Sequence, residues 1–215
     1  MVILLDVDGV MVDLIEGICK LYGTTPQAIK EKWRIDSNFW EVESITPTLG
    51  GTTEGLWEKM ESEGPSFWTG LREYPWAKEM YEWCCRAAPT YFVTSPTPFP
   101  SCHAGKLEWM KNFTGDPFFK NYLIGSPKFL CAKKENVLVD DSRKNCRAFV
   151  EAGGKAVLFP QFYNGNEVED SWATIKPVLQ KMKTDKHMRE AVEKVEKWRP
   201  DLKLMLGPPP KRVNG

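Results

Sequence analysis

An α/β fold built on a parallel sheet is predicted by three features of the sequence. Four short runs are solidly apolar: Val2-Ile3-Leu4-Leu5, Tyr91-Phe92-Val93, Val137-Leu138-Val139 and Ala156-Val157-Leu158-Phe159. Strands buried on both faces read this way, because neither face meets water. Helical patterns fall between the runs, and that alternation is the mark of parallel strands joined by helical crossovers. The first three runs end in acids or hydroxyls, as Asp6-Val7-Asp8, Thr94-Ser95 and Asp140-Asp141. In open sheets of this class, ligands bind beyond the carboxyl ends of the strands.

Taken in order, residues 2–5 form the first strand, which Asp6 ends. Residues 14–74 then break the alternation. They hold helical stretches at 14–22, 26–33 and 53–62, joined by loops rich in Gly, Thr and Pro. Thr52 or Thr53 caps the last of these. The segment reads as a small helical cap inserted after the first strand. A helix at 77–87 leads to the second strand, and a helix at 102–113 follows, with Leu107 and Met110 on one face. The helix at 143–152 follows the third strand and is stopped by Gly153-Gly154. Pro160 closes the fourth strand. Helical patterns at 171–183 and 186–198 come next; Pro200 stops the second, and Pro208-Pro209-Pro210-Lys211-Arg212 reads as a flexible end. The expected division is a core of 1–13 and 75–180, a cap of 14–74, and a C-terminal helix and flexible tail of 181–215. No internal repeat is visible.

Composition narrows the function. The 29 Lys+Arg balance 29 Asp+Glu, which removes the generic electrostatic case for a nucleic-acid or membrane surface. The basic lean after Lys181 reads as a solvated helix face and a loose end. No stretch approaches the roughly 18 apolar residues that span a bilayer. The apolar start is cut by Asp6 and Asp8, too early for a secretory leader. The six cysteines form no paired CxxC set, so a zinc site is not expected, and free thiols in a reducing cytoplasm are. Adjacent Cys84 and Cys85 point in different directions on a helix and read as packed thiols.

The chemistry gathers at the strand ends. Asp6 and Asp8, two residues apart after a buried strand, are costly unless a cation neutralises them. Gly9 lets the chain turn sharply behind them. Thr94 and Ser95 offer hydroxyls and turn amides to phosphate oxygens, or are ordinary turn residues. Lys128, after Ser126-Pro127, is a point charge that suits a phosphate, or else a surface lysine beside Lys133 and Lys134. Asp140 and Asp141 add two acids. Carboxylates converging with a lysine make a hard-cation site, and oxygen ligands with phosphate indicate Mg²⁺.

The ordered set of DxDGV, Thr-Ser, Lys and Asp-Asp resembles the haloacid dehalogenase (HAD) superfamily over residues 1 to about 160. That resemblance implies a HAD-like Rossmannoid parallel sheet, helices on both faces, and a cap in the position where the family inserts its first type of cap. A closer likeness is to the 5′(3′)-deoxyribonucleotidases of that superfamily. Asp6-Val7-Asp8-Gly9-Val10-Met11-Val12-Asp13 is similar to their opening, Thr94-Ser95-Pro96 to their second motif, and Val137-Leu138-Val139-Asp140-Asp141 to their fourth. Phe39-Trp40 resembles a Phe-Trp pair that contacts substrate there, and Trp57 falls where another substrate-facing Trp stands. Phe67-Trp68 is similar to an aromatic cluster of those enzymes and also fits plain hinge packing. Three departures bear on base preference. Leu14 stands in place of a base-stacking Phe, Ser142-Arg143 replaces an Arg directly after the acid pair, and the interval from Lys128 to Asp140 is slightly longer.

The resemblance implies a Mg²⁺-dependent 5′-nucleotidase acting on (deoxy)nucleoside monophosphates. Asp6 is then the nucleophile and Asp8 the general acid and base. Mg²⁺ is held by Asp6, the Asp8 backbone carbonyl, and Asp140 or Asp141. Thr94 or Ser95, with Lys128, holds the phosphate. Phe39, Trp40 and Trp57 face the substrate, or form cap core. Asp13 reads as structural, and His103 as a surface residue. Other readings of the same residues are a HAD phosphatase for another small ester, a polynucleotide 3′-end phosphatase, and a silent nucleotide-binding protein. Neutral net charge argues against a polynucleotide. The sequence leaves oligomeric state open, a homodimer included.

Overall fold

The computed structural model describes residues 1–32, 42–183 and the backbone of 204–206. It begins with β1 (Val2–Leu5), followed by four short helices: α1 (Leu14–Leu21), α2 (Pro26–Lys30), α3 (Thr53–Ser62) and α4 (Pro65–Thr69). Then come α5 (Ala77–Ala87), β2 (Thr90–Thr94), α6 (Pro100–Thr114), β3 (Tyr122–Ile124) and β4 (Asn136–Asp140). The last described elements are α7 (Arg143–Glu151), β5 (Lys155–Leu158), α8 (Ser171–Met182) and β6 (Leu204–Leu206). The strands lie in the order β3-β2-β1-β4-β5-β6. The first five are parallel and β6 runs antiparallel against β5. The α/β parallel sheet is as the apolar runs predict.

Alternate residues of each strand serve opposite layers. Ile3, Leu5, Phe92, Val137, Val139 and Val157 join one buried cluster. Leu4, Val93, Leu138, Ala156 and Leu158 join the other, beneath Cys146 and Phe149 of α7. Phe92 is wholly buried and touches the rings of Tyr81, Trp109, Phe113 and Phe119 at 5.1–6.0 Å between centroids. Truncating such a ring to Ala costs about 3–5 kcal/mol.

The chain leaves and re-enters the sheet region through one paired hinge. The Asp13 amide donates to the Arg72 carbonyl at 2.9 Å, and the Tyr74 amide to the Met11 carbonyl at 2.9 Å. Asp13 also caps α1, accepting from the Glu16 amide at 2.9 Å, and its other oxygen pairs with Arg72 at 3.1 Å. Among the described residues four α-helices lie between, and side-chain pairs tie them to the rest of the chain. Ser101 at the start of α6 donates to Glu61 of α3, and Lys30 of α2 pairs with Glu167. Helix α4 lies close against α6 because Gly105 has no side chain. A Cβ there would come within 2.4 Å of the Pro65 carbonyl and 2.7 Å of the Trp68 Cβ.

Several elements differ from the sequence expectation. Strands β3 and β6 and helix α4 were not expected, and each is only three to five residues long. The tail of 181–215 is corrected at Leu204–Leu206. This apolar triplet adds a strand to β5, whose edge otherwise carries unpaired peptide groups. On α6 the buried face is made by Cys102, Lys106, Trp109, Met110 and Phe113, with Leu107 at its margin. The helical pattern at 186–198 lies outside the described residues.

Candidate active site

The sheet register brings the strand ends together. Leu5 pairs with Phe92 on one side and Val139 on the other, so the residues that follow in β1 and β4 stand level. The Asp6 amide donates to the Val139 carbonyl at 2.9 Å. Asp6, Asp140 and Asp141 are buried, with one oxygen of each lying within 4.8 Å of the others. Lys128 closes the group: its Nζ is 2.7 Å from Asp6 Oδ2 and 2.7 Å from Asp140 Oδ2. Three carboxylates against one ammonium leave a buried excess of negative charge, a setting that calls for a hard cation.

The two adjacent acids have different surroundings. Asp140 is fully buried and saturated, taking Lys128, the Ser142 amide at 2.8 Å and the Asn145 side-chain amide at 3.2 Å. Asp141 borders the open cleft, and its Oδ2 accepts from the Tyr163 hydroxyl at 2.6 Å. Its carbonyl accepts from Asn164 at 2.8 Å. Gly9 sits against this pair with φ +71°. A Cβ on it would come within 2.1 Å of Asp141 Oδ2 and 2.4 Å of the Tyr163 hydroxyl.

Burial pushes the Asp6 carboxyl up to about 7; Lys128 opposes that rise, and the charges of Asp140 and Asp8 add to it. Burial, then Asp140 and Asp6, hold Asp141 well above the usual carboxylate range. Burial alone would lower Lys128, but Asp140 and Asp6 overcome it and hold the ammonium above its ordinary value.

Asp8 is separate from this cluster. Its Oδ2 pairs with Lys106 of α6, and its Oδ1 is buried with no partner among the described residues. Lys106 also donates to Thr94 Oγ1 at 2.8 Å and to the Ser95 carbonyl at 2.7 Å. Thr94 is therefore wholly buried, and of the Thr94-Ser95 pair only Ser95 lines the cleft. Of the two hydroxyls expected to offer a phosphate contact, Ser95 lines the cleft, while the Thr94 oxygen accepts from Lys106.

Above these groups lies a cleft of about 500 Å³. Asp6, Asp8, Lys128 and Asp141 are on its floor, and Leu14, Ile15, Val42, Glu43, Trp57 and Trp68 come from the helical segment. Trp57 reaches the cleft. Trp68 also reaches it, with its indole nitrogen unpartnered among the described residues. Phe39 and Trp40 lie outside the described residues. Sequence reasoning missed Lys106, Asn145, Tyr163 and Asn164. Tyr163 and Asn164 sit in a turn with no metal-like or catalytic spacing. The one signal for Lys106 was a lysine on the face that carries Cys102 and Trp109.

Comparison with known proteins bears on this site. The family model described as 5′ nucleotidase, deoxy (Pyrimidine), cytosolic type C protein matches residues 1–199. No curated protein matches the sequence. Among solved structures, a HAD family hydrolase from Deinococcus radiodurans R1, with bound phosphate and sodium, is 15% identical. The match covers 94% of this chain and 96% of that one at a TM-score of 0.46. The HAD-hydrolase YfnB from Bacillus subtilis, bound to magnesium, is 14% identical, over 72% of this chain and 84% of that one, at 0.48.

Proposed function

The chain belongs to the cytosolic type C family of 5′ nucleotidases, and from that membership we propose a Mg²⁺-dependent hydrolysis of deoxynucleoside 5′-monophosphates through an aspartyl-phosphate. It is a phosphatase of the nucleotidase kind. The observation that carries the detailed reading is the buried Asp6–Lys128–Asp140–Asp141 cluster on the floor of a cleft walled by Trp57.

The donor set fits magnesium. Asp6 and Asp141 present hard oxygens to the cleft, and the Asp8 carbonyl completes the proposed ligands. Asp140 anchors Lys128 and Asn145 rather than the metal. When bound, the ion would neutralise the acids and offset their repulsion of an anionic substrate.

Asp6 attacks phosphorus and forms a P–O bond as the P–O5′ bond breaks. Asp8 gives its proton to the departing O5′, so that the nucleoside leaves as a neutral alcohol. A water then attacks the phosphorus of the aspartyl-phosphate and gives a proton to Asp8. That step releases phosphate and restores the Asp6 carboxylate. Ser95 and Lys128 hold the phosphate oxygens as charge develops. The helical segment at 14–74 acts as a cap over the core of 1–13 and 75–180, excluding bulk water and presenting Trp57 to the base. A cleft of about 500 Å³ and zero net charge favour a mononucleotide over a polynucleotide.

The family's name is cytosolic, and among the described residues no helix is long and apolar enough to cross a membrane. The cytoplasm is therefore the proposed setting. The test is phosphate release from 5′- and 3′-monophosphates, ribo and deoxy, in Mg²⁺ or EDTA, with Asp6→Asn alongside. Mg²⁺-dependent release that favours 5′-deoxynucleotides and disappears in Asp6→Asn is expected. Release from non-nucleotide esters alone would overturn the nucleotide assignment.

A further inference from the structure

We infer that Lys106 is the positioning residue for Asp8, fixing one carboxylate oxygen so that the other is the proton-transfer atom. The inference rests on the reading of Asp8 as the general acid and base.

Lys106 is 2% exposed, on the buried face of α6 among Cys102, Trp109 and Met110. A buried ammonium loses hydration and side-chain freedom, so its retention needs compensation. The compensation is complete: an ammonium has three N–H donors, and three acceptors surround this one. They are Asp8 Oδ2, Thr94 Oγ1 at 2.8 Å and the Ser95 carbonyl at 2.7 Å. The Trp68 ring covers the same ammonium, its centroid 5.1 Å from Nζ. Gly105, by letting α4 approach α6, places that ring. Lys106 is thereby held in one position, and it holds Asp8 in one position in turn.

The other oxygen completes the argument. Asp8 borders the cleft, and its Oδ1 is buried with no partner among the described residues. A buried acceptor left alone is costly, and a proton shared with a substrate oxygen would relieve that cost. With Oδ2 held by Lys106, the transferable proton belongs on Oδ1. It passes to O5′ as the P–O5′ bond breaks, and Oδ1 takes a proton back from the attacking water. Lys106 touches neither substrate nor the reacting atoms. It sets the rotation of the Asp8 carboxylate, and small errors in such geometry are costly in rate.

A structural lysine and a positioning lysine differ in their dependence on the leaving group. A nucleoside 5′-oxygen needs a proton to leave, whereas nitrophenolate does not. kcat/KM reports the steps through leaving-group departure, so the two esters separate the roles. In Lys106→Met, kcat/KM for a deoxynucleoside 5′-monophosphate should fall about 100-fold. For p-nitrophenyl phosphate it should fall less than about tenfold, and Asp8→Asn should show the same ordering. Circular dichroism and thermal melting establish that each variant is folded. Should Lys106→Met not fold, Lys106→Gln keeps an N–H donor and should give the same ordering. Equal losses on both esters in a folded variant, or no loss on the nucleotide, would overturn the inference. A wild-type protein that cleaves neither ester would overturn the hydrolase reading itself.

Discussion

Lys128 and Asp6 meet at 2.7 Å, ammonium to Oδ2, with both side chains under a tenth exposed. Asp140 takes the same ammonium at 2.7 Å. One lysine therefore joins the residue after β1 to the last residue of β4. It restrains the proposed nucleophile while leaving a buried carboxylate excess.

That arrangement predicts an asymmetric cost. Lys128→Met leaves Asp6 and Asp140 facing each other without a counter-charge, a loss of about 3–5 kcal/mol. Adding Asp6→Asn to the same chain should restore a large part of it, because one of the stranded charges is gone. Urea denaturation of the two single variants and the double variant measures this. A double variant as unstable as the sum of the singles would contradict the coupling.

Metal-free stability should fall with rising pH across the acidic range. Burial and neighbouring acids hold Asp6 up to about 7 and Asp141 above its usual range. The folded chain keeps protons that the unfolded chain releases near pH 4. Between about pH 4 and about pH 7 the folded state thus binds more protons, and stability declines as pH rises. Mg²⁺ needs the ionised acids, so it should raise Tm more at about pH 8 than at about pH 5.5. Thermal melts in EDTA and in Mg²⁺ at both pH values check this. A metal-free Tm that climbs between those two values would contradict it.

Gly9→Ala tests the close approach behind Asp6-Val7-Asp8. The position has φ +71°, and a Cβ would fall 2.1 Å from Asp141 Oδ2. The left-handed backbone alone costs about 1–3 kcal/mol in a residue with a side chain. Displacing Asp141 and Tyr163 adds to that, so a lowered Tm and at least about a tenfold loss of turnover are expected. Wild-type kcat in this variant would show that Asp141 has no part in the chemistry.

Trp57→Ala tests the cleft wall. Stacking a base on an aromatic ring is worth about 1–3 kcal/mol, so KM for a nucleotide should rise about 5- to 150-fold. KM for p-nitrophenyl phosphate, which carries no base, should change far less. An equal rise on both substrates would mean that Trp57 supports the fold rather than the base.

Much of this site is legible in the sequence because parallel strands declare themselves. A strand buried on both faces has to be apolar throughout, so an acid or hydroxyl at its end stands out, as at Asp6, Thr94 and Asp140. Pairing register then brings those ends together without help from the loops. Three-residue strands such as β3 and β6 carry too little pattern to register. The direction of a hydroxyl is equally invisible: Thr94 has the right type and place, yet turns to Lys106. Lys106 itself passes for a solvent-facing helix lysine, because its partners are 98, 12 and 11 residues away in sequence. Tyr163 and Asn164 follow β5, where the only local signals are those of a turn.

The most direct test of the account is to trap the phosphoenzyme. The protein would be mixed with a deoxynucleoside monophosphate labelled in its 5′-phosphate, quenched in acid within a single turnover, and digested for mass spectrometry. The account predicts an acid-stable, hydroxylamine-labile phosphoryl group on the peptide bearing Asp6, absent from Asp6→Asn. Rapid nucleotide turnover by wild type with no labelled peptide at any quench time, or with Asp6→Asn still active, would contradict it.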